Sequence, residues 1–376
     1  MVRGSLARSL AIFGSLGAAA SIVPSLIPRT ASEIGVGAYE LLPAVPLLFW
    51  GLFLGVLIGP RLAKAKGSQV VVQIASTALA AGLAGVTGAT SAAVFLSGGL
   101  VVGLGFGVIE VLVTAQVRID GGDAARALTQ LNIAFALGAV LSPVVLAVTM
   151  RLLETDAIGY LAALLMLLSG ISFRAANRAR STVSSKLETK PLRLFLLACA
   201  LYVGAESILA GWTATIFSEL EITSAELAPI GTTIFWGMLV LGRVSSLYLT
   251  PRYLSPGGAL ILWPVVSAAG LGLTFTFVGT AQLAAAGLAI ASFAAGPIYG
   301  FLIAKGLEVA SVEDSAKATR LLILAGSVGG FAIPALLQVD PSITLAATVG
   351  AIAMFAVASL GALAAGTNTN RERVGT

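Results

Sequence analysis

Runs of about twenty apolar residues recur along the whole chain, separated only by short polar or Gly/Pro-containing breaks. A bilayer core takes about 20 residues of helix to cross, and in lipid each backbone polar group must be satisfied within its own segment. Reading charges and Pro/Gly clusters as boundaries gives twelve spans: 9–27, 41–59, 69–90, 93–117, 129–150, 158–173, 194–216, 227–249, 258–278, 281–304, 319–338 and 343–365. Only 10% of the residues are charged and 57% are hydrophobic, whereas a soluble domain carries about 25% charged residues. The expected fold class is an all-α polytopic membrane protein with twelve transmembrane helices.

Basic residues set the orientation, because cytoplasmic loops retain them. With the N-terminus inside and loops assigned alternately, 20 of the 22 Lys and Arg fall on the inner side, leaving only Arg29 and Arg151 outside. An even number of spans with both termini cytoplasmic follows. Arg3 and Arg8 before an apolar run resemble a signal peptide, but this first segment has a partner later in the chain, which argues against cleavage. The one long polar stretch, residues 174–193, is basic and lacks periodicity. It reads as a cytoplasmic central linker between two bundles of six helices, residues 1–173 and 194–376.

The two halves repeat one another. Phe49-Trp50-Gly51 corresponds to Phe235-Trp236-Gly237, and Gly17-Ala18 to Gly204-Ala205. Ala125-Arg126-Ala127, leading to Gly138 and Pro143, corresponds to Ala316-Lys317-Ala318, leading to Gly329 and Pro334. The order is the same in both halves and the offsets are nearly constant.

Twelve spans, a basic central loop and two repeated halves resemble the major facilitator superfamily. The resemblance covers nearly the whole chain. Its loop 2–3 signature aligns with Pro60-Arg61-Leu62-Ala63-Lys64-Ala65-Lys66-Gly67, with Lys64 at the acidic position; Gly242-Arg243 and Arg252 occupy the equivalent region of the second half. Arg61, Lys64, Arg243 and Arg252 are therefore gate candidates. Tyr202-Val203-Gly204-Ala205-Glu206 with Trp212, and Gly103-Leu104-Gly105-Phe106-Gly107-Val108-Ile109-Glu110, are similar to the fucose-permease-like branch of sugar transporters. That branch has an acidic residue in helix 1, and span 1 here has none. The resemblance implies two pseudo-symmetric bundles with helices 1, 4, 7 and 10 lining a central cavity.

Several chemistries are excluded. The chain has no His, which removes His metal sites, haem ligation and Ser-His triads. Cys199 is the only Cys, so no intrachain disulfide or Cys cluster forms. The Gly run at 103–107 lies within a span and follows no strand, so it is not a nucleotide fingerprint. No cofactor, metal, nucleic-acid partner or catalytic group is expected, and the chain is not read as an enzyme.

Two acidic residues lie deep in apolar spans, Glu110 and Glu206. Glu110 is eight residues from Arg118 and Glu206 thirteen from Arg193, about 12 and 20 Å of helix. Both then fall near the bilayer midplane, where transporter sites lie. No Lys or Arg is expected at similar depth, although Arg243 lies near the inner end of span 8. Gly99, Gly103 and Gly107 share one helical face that Glu110 and Thr114 continue; Val101, Leu104, Val108 and Val111 fall elsewhere and are expected to meet lipid. Intramembrane carboxylates are costly and by default functional, so both acids are candidates for carrying a proton or binding substrate. The alternative for each is a protonated Glu bonded to a neighbouring helix. Tyr202, Trp212, Asn132, Tyr299 and Thr114 are the candidate substrate contacts, with helix–helix hydrogen bonds or interfacial anchoring as their alternatives.

The expected function is secondary active transport by alternating access in the inner (plasma) membrane. The first reading is proton-coupled uptake of a small polar solute such as a sugar or polyol. The second is proton-coupled efflux of a drug-like or amphipathic compound. The expected partners are that small-molecule substrate, protons and the lipid bilayer, and the chain is expected to act as a monomer.

Overall fold

With no water in the hydrocarbon region to satisfy the backbone, apolar runs become helices. The computed structural model describes residues 3–119, 124–175, 192–224, 226–277, 279–309, 315–338 and 342–374, and its regular structure among these is entirely helical. The elements are α1 (Arg3–Ile34), α2 (Ala38–Leu41), α3 (Ala44–Lys66), α4 (Ser68–Thr87), α5 (Ala92–Ile119), α6 (Ala124–Leu153), α7 (Ile158–Ser172), α8 (Arg193–Glu219), α9 (Pro229–Tyr253), α10 (Pro256–Thr276), α11 (Ala281–Ala295), α12 (Ile298–Glu308), α13 (Ser315–Leu336) and α14 (Ile343–Val374). Among the described residues eleven helical segments are long and apolar enough to cross a membrane, counting α2 with α3 and α11 with α12. The sixth expected span, α7, is apolar but only 15 residues long. The chain is a multi-pass membrane protein. Most of the expected linker, residues 176–191, lies outside the described residues.

The chain divides into two compact units, Met1–Arg180 with Ala210–Trp236, and Ser181–Leu209 with Gly237–Thr376. In the first unit, α3 and α5 meet through glycine on both sides. A Cβ on Gly103 or Gly107 would run into the carbonyl of Leu48 or Leu52, and one on Gly51 or Gly55 into that of Leu100 or Leu104. The face carrying Gly99, Gly103 and Gly107 is thus turned onto α3. A second glycine face on the same helix, not seen in the sequence, meets α4: a Cβ on Gly105 would lie 2.7 Å from the Ala75 carbonyl. Helix α5 is consequently held on two sides. Val108, expected to meet lipid, is buried instead and closes on Gly59 of α3.

In the same unit α1 crosses α6 at Gly17 and Gly138, each against the other helix's backbone, and the Ser21 and Ser142 hydroxyls join at 2.8 Å. The second unit reuses the device. There α8 meets α13 at Gly204 and Gly329, and α9 meets α11 at Gly242 and Gly296. These are the helix pairs that the internal repeat leads one to compare.

The outer face of α6 carries Ile133, Leu137, Leu141 and Val145, one turn apart and exposed, as suits a surface against lipid tails. Pro24, Pro143 and Pro334 lie within unbroken helices. Pro297, preceded by Gly296, separates α11 from α12, as Pro43 separates α2 from α3.

Substitution at these contacts should separate close approach from simple helix propensity. Gly103→Ala forces a methyl against a backbone carbonyl that cannot turn away, and should destabilise the protein by about 1–3 kcal/mol, the usual range for overpacking. Gly85→Ala in α4 enters open space and should be neutral, or stabilising by about 0.5–1 kcal/mol from helix propensity. Unfolding in detergent micelles measures both.

Candidate functional site

The second unit assembles one polar cluster. Glu206 is the midpoint residue of α8, and its Oε1 lies 3.8 Å from Nη2 of Arg243 on α9. The carboxylate therefore has a cation nearby, although no Lys or Arg was expected at its depth. Arg243 sits seven residues inside the Thr250 end of its span, about 10 Å along the helix, and its long side chain covers the remaining distance to Glu206. The signal was available, since Arg243 is the one basic residue well inside span 8. Judging depth by the Cα alone concealed it.

The same cluster satisfies the break between α11 and α12. Pro297 has no N–H to continue the helix, and the Gly296 N–H donates to both Ser292 and Phe293 carbonyls, at 3.3 and 3.2 Å. The two carbonyls just ahead of Pro297 receive side chains. Tyr202 Oη donates to Ala295 O at 3.0 Å, and Arg243 Nε to Gly296 O at 3.0 Å. The Tyr202 and Tyr299 rings stack, with centroids 6.0 Å apart and planes at 25°. Tyr202 is fully buried, while Glu206 and Arg243 are half-buried. Four sequence candidates, Tyr202, Glu206, Arg243 and Tyr299, thus come together in one unit.

Glu110 stands differently. It lies on α5 in the first unit, half-buried, six residues from the Gln116 end of its span, about 9 Å along the helix. Its carboxylate has no hydrogen bond or ion pair with any described residue. Thr114 Oγ1 donates 2.6 Å to the Glu110 main-chain carbonyl and not to its carboxylate. One turn before Glu110, the Phe106 ring meets Phe135 edge-on at 5.9 Å, and Phe135 meets Trp236 edge-on at 5.6 Å. The Trp236 Nε1 is buried with no hydrogen-bond partner among the described residues, as are the hydroxyls of Thr213, Thr215, Thr232 and Thr233. These groups in the second part of α8 and the first of α9 were missed from sequence. Threonine in a helix usually bonds back to the preceding turn, as Thr77 and Thr87 do here, and nothing in the sequence shows which threonines do not.

The remaining candidates are more scattered. Trp212 is fully buried, its ring 6.0 Å from that of Tyr39. Asn132 is exposed on α6. Arg61 and Lys64 are exposed near the end of α3, with Arg61 Nη1 donating 3.4 Å to Leu57 O. Arg252 is exposed at the end of α9, 5.6 Å from the Tyr253 ring centroid. No group of three or more His, Cys, Asp or Glu suited to a metal occurs among the described residues.

Among solved structures, the chain is similar to the nucleoside transporter NupG, with 14% identity and a TM-score of 0.73 over 96% of this chain and 99% of that one. It is similar to the POT family transporter PepTSo at 11% identity and a TM-score of 0.73, over 98% of each chain. It is also similar to the E. coli fucose:proton symporter FucP, a major facilitator superfamily transporter solved in the outward conformation, at 15% identity and a TM-score of 0.62 over 97% of this chain and 99% of that one. No family model matches the sequence, and no curated protein matches it.

The ion pair can be weighed by a double-mutant cycle. Arg243→Leu strands Glu206 and should cost more stability than Arg243→Leu combined with Glu206→Leu. Exposed pairs contribute up to about 1 kcal/mol and breaking a buried one costs about 3–5, so a coupling of about 1–2 kcal/mol is expected for a pair whose arginine side chain is 38% accessible. Unfolding of the three variants in detergent at neutral pH measures it.

Proposed function

We propose that this chain, whose fold is that of the major facilitator superfamily transporters, is a secondary active transporter working by alternating access. It takes up a small polar solute, such as a sugar or polyol, together with protons. The observation that carries this reading is Glu110, a carboxylate inside a membrane span with no partner among the described residues. An unpaired acid in low dielectric disfavours its charged form, so it is suited to take a proton from one side and give it to the other. Glu206, with a cation beside it, is suited to a second site where charge is already balanced. The fold neighbours include one protein described as a fucose:proton symporter and another as a nucleoside transporter, which supports a small polar solute and a proton as the coupling ion. The division at the central linker into bundles 1–173 and 194–376 belongs to this reading, as does a location in the inner membrane with both termini cytoplasmic.

Purified protein in liposomes, given an inward proton gradient, should accumulate a labelled sugar or polyol. Glu110→Gln should abolish accumulation while leaving solute exchange intact. Undiminished uphill uptake by that variant removes Glu110 from the role, and proton-driven extrusion of cationic dyes in place of sugar uptake favours the efflux alternative.

Orientation is tested separately. In a Cys199→Ser background, Lys64→Cys should react with an impermeant thiol reagent only from the cytoplasmic side of the cell membrane, and Glu154→Cys only from the other.

A further inference from the structure

Arg243 uses its hydrogen-bonding capacity unevenly. A guanidinium carries five N–H donors. Here Nε is committed to Gly296 O at 3.0 Å, while Nη2 stands 3.8 Å from the Glu206 carboxylate, beyond hydrogen-bond length, and Nη1 donates to no described residue. A fully formed arginine–carboxylate pair is bidentate, with N···O of about 2.7–2.9 Å. Glu206 therefore neutralises Arg243 without occupying the outer edge of its guanidinium. The Arg243 side chain is 38% exposed against 18% for Glu206. Beside it lies the stacked pair Tyr202 and Tyr299. The arrangement is a cation fixed by its Nε, a resident anion beyond hydrogen-bond length of it, Nη groups that donate to no described residue, and the half-buried Tyr299 ring stacked on Tyr202.

We propose that Arg243 anchors the carboxylate of a small hydroxy acid, such as a sugar acid, and that Glu206 is the counter-ion this solute displaces. The proposal rests on the transporter reading and narrows its small polar solute to one that carries a carboxylate. The charge balance dictates the coupling. The empty site holds Arg243 positive and Glu206 negative, and is neutral overall. Entry of an anion alone would leave one net negative charge in a medium of low dielectric, at high cost. A proton taken from water by Glu206 restores neutrality: the solute carboxylate pairs with Arg243, and Glu206 becomes a neutral acid. When the anion leaves, the proton returns to water and Glu206 again balances Arg243. One anion and one proton are bound and released together. Once protonated, Glu206 also offers an O–H donor and a carbonyl acceptor to a hydroxyl beside the solute carboxylate, which favours hydroxy acids over plain fatty acids. Among the described residues, the titratable or charged groups facing Glu206 are Arg243 from α9 and Tyr202 on α8 itself, with Tyr299 of α12 stacked on Tyr202. The Tyr202 hydroxyl donates to Ala295 O at 3.0 Å and is also a hydrogen-bond partner of the Glu206 side chain.

Gluconate and glucitol share a carbon chain and differ in the carboxylate, which makes them the probes. Full-length protein in detergent should be stabilised against thermal unfolding by gluconate and not by glucitol at the same concentration. Gluconate affinity should rise about tenfold per unit fall in pH where Glu206 is ionised in the empty site, and binding should take up one proton per anion from weakly buffered solution, since a bound anion and a bound proton favour each other reciprocally. Glu206→Gln should still bind gluconate, with flat pH dependence and no proton uptake. Arg243→Gln should lose the gluconate response. If that variant does not fold, Glu206→Gln carries the test alone, because a merely structural Arg243 predicts no gluconate response in it. Equal stabilisation by both solutes, no stabilisation by either, or persistent proton uptake in Glu206→Gln overturns the proposal. Should pH-driven uptake of a neutral sugar depend on Glu110 and survive Arg243→Gln, this site assignment fails and the transporter reading stands. Should gluconate binding behave as described while no solute is transported, the site stands and the transporter reading fails.

Discussion

Between helices in lipid there is no hydrophobic drive, because the tails are as apolar as leucine. Close approach of backbones takes its place, and in this chain glycine makes it possible at several helix crossings, among them α3 with α5, α4 with α5, α1 with α6, α8 with α13 and α9 with α11. Contacts against a carbonyl have little freedom to slide, so they fix the register of each helix as well as its neighbour. The functional side chains inherit that register. Arg243 directly follows Gly242, whose missing side chain lets α9 lie on Phe293, and the acceptor for its Nε is the carbonyl of Gly296, itself set against Leu239. The crossing that packs the two helices is therefore what aims the guanidinium. Glu110 likewise follows Gly107 by three residues, and its place along α5 is set by the contact of Gly107 with Leu52.

Charge imposes the second constraint. At 3.8 Å, two unit charges attract by about 4 kcal/mol at an effective dielectric of 20, so Glu206 and Arg243 hold each other even without a hydrogen bond between them. Desolvation offsets much of that gain. What survives is a preference for neutrality rather than for one geometry, and this is why a long pair is a better exchange site than a short one. A bidentate pair would have to lose two charge-assisted hydrogen bonds before accepting another carboxylate. Glu110 has no such compensation from any described residue.

The helical architecture was legible in the sequence because hydropathy is a property of each segment alone. All twelve expected spans have a helical counterpart, the sixth in the short α7. The glycine face of α5 was legible too, since period and residue type sufficed. Its second glycine face was not: Gly98 and Gly105 are seven residues apart, and only the neighbour, α4, reveals their purpose. Val108 was misread for the same reason, as a large side chain reads as lipid-facing until a small residue, Gly59, is found opposite it. At the site, the two buried acids were visible as isolated charges, while the link from Glu206 to Arg243 depended on how far an arginine reaches from a different helix. The unpartnered threonines of α8 and α9 depend on side-chain rotamers, about which sequence is silent.

The repeat makes the helix break at Gly296–Pro297 informative. In the repeat the fourth span of the first half, α5, is the counterpart of the tenth, α11 with α12, and α5 runs on unbroken. The scaffold is shared, and the break is not. It frees the carbonyls of Ala295 and Gly296, and both are taken by side chains of the polar cluster, Tyr202 and Arg243. A buried carbonyl left without a donor costs about 1–3 kcal/mol, so the break and the cluster require one another. The same guanidinium that balances Glu206 also completes the end of α11. Any rearrangement that draws Arg243 fully onto another anion must keep its Nε on Gly296 or expose that carbonyl, and the free Nη edge is the part of the side chain that can change partner without doing so.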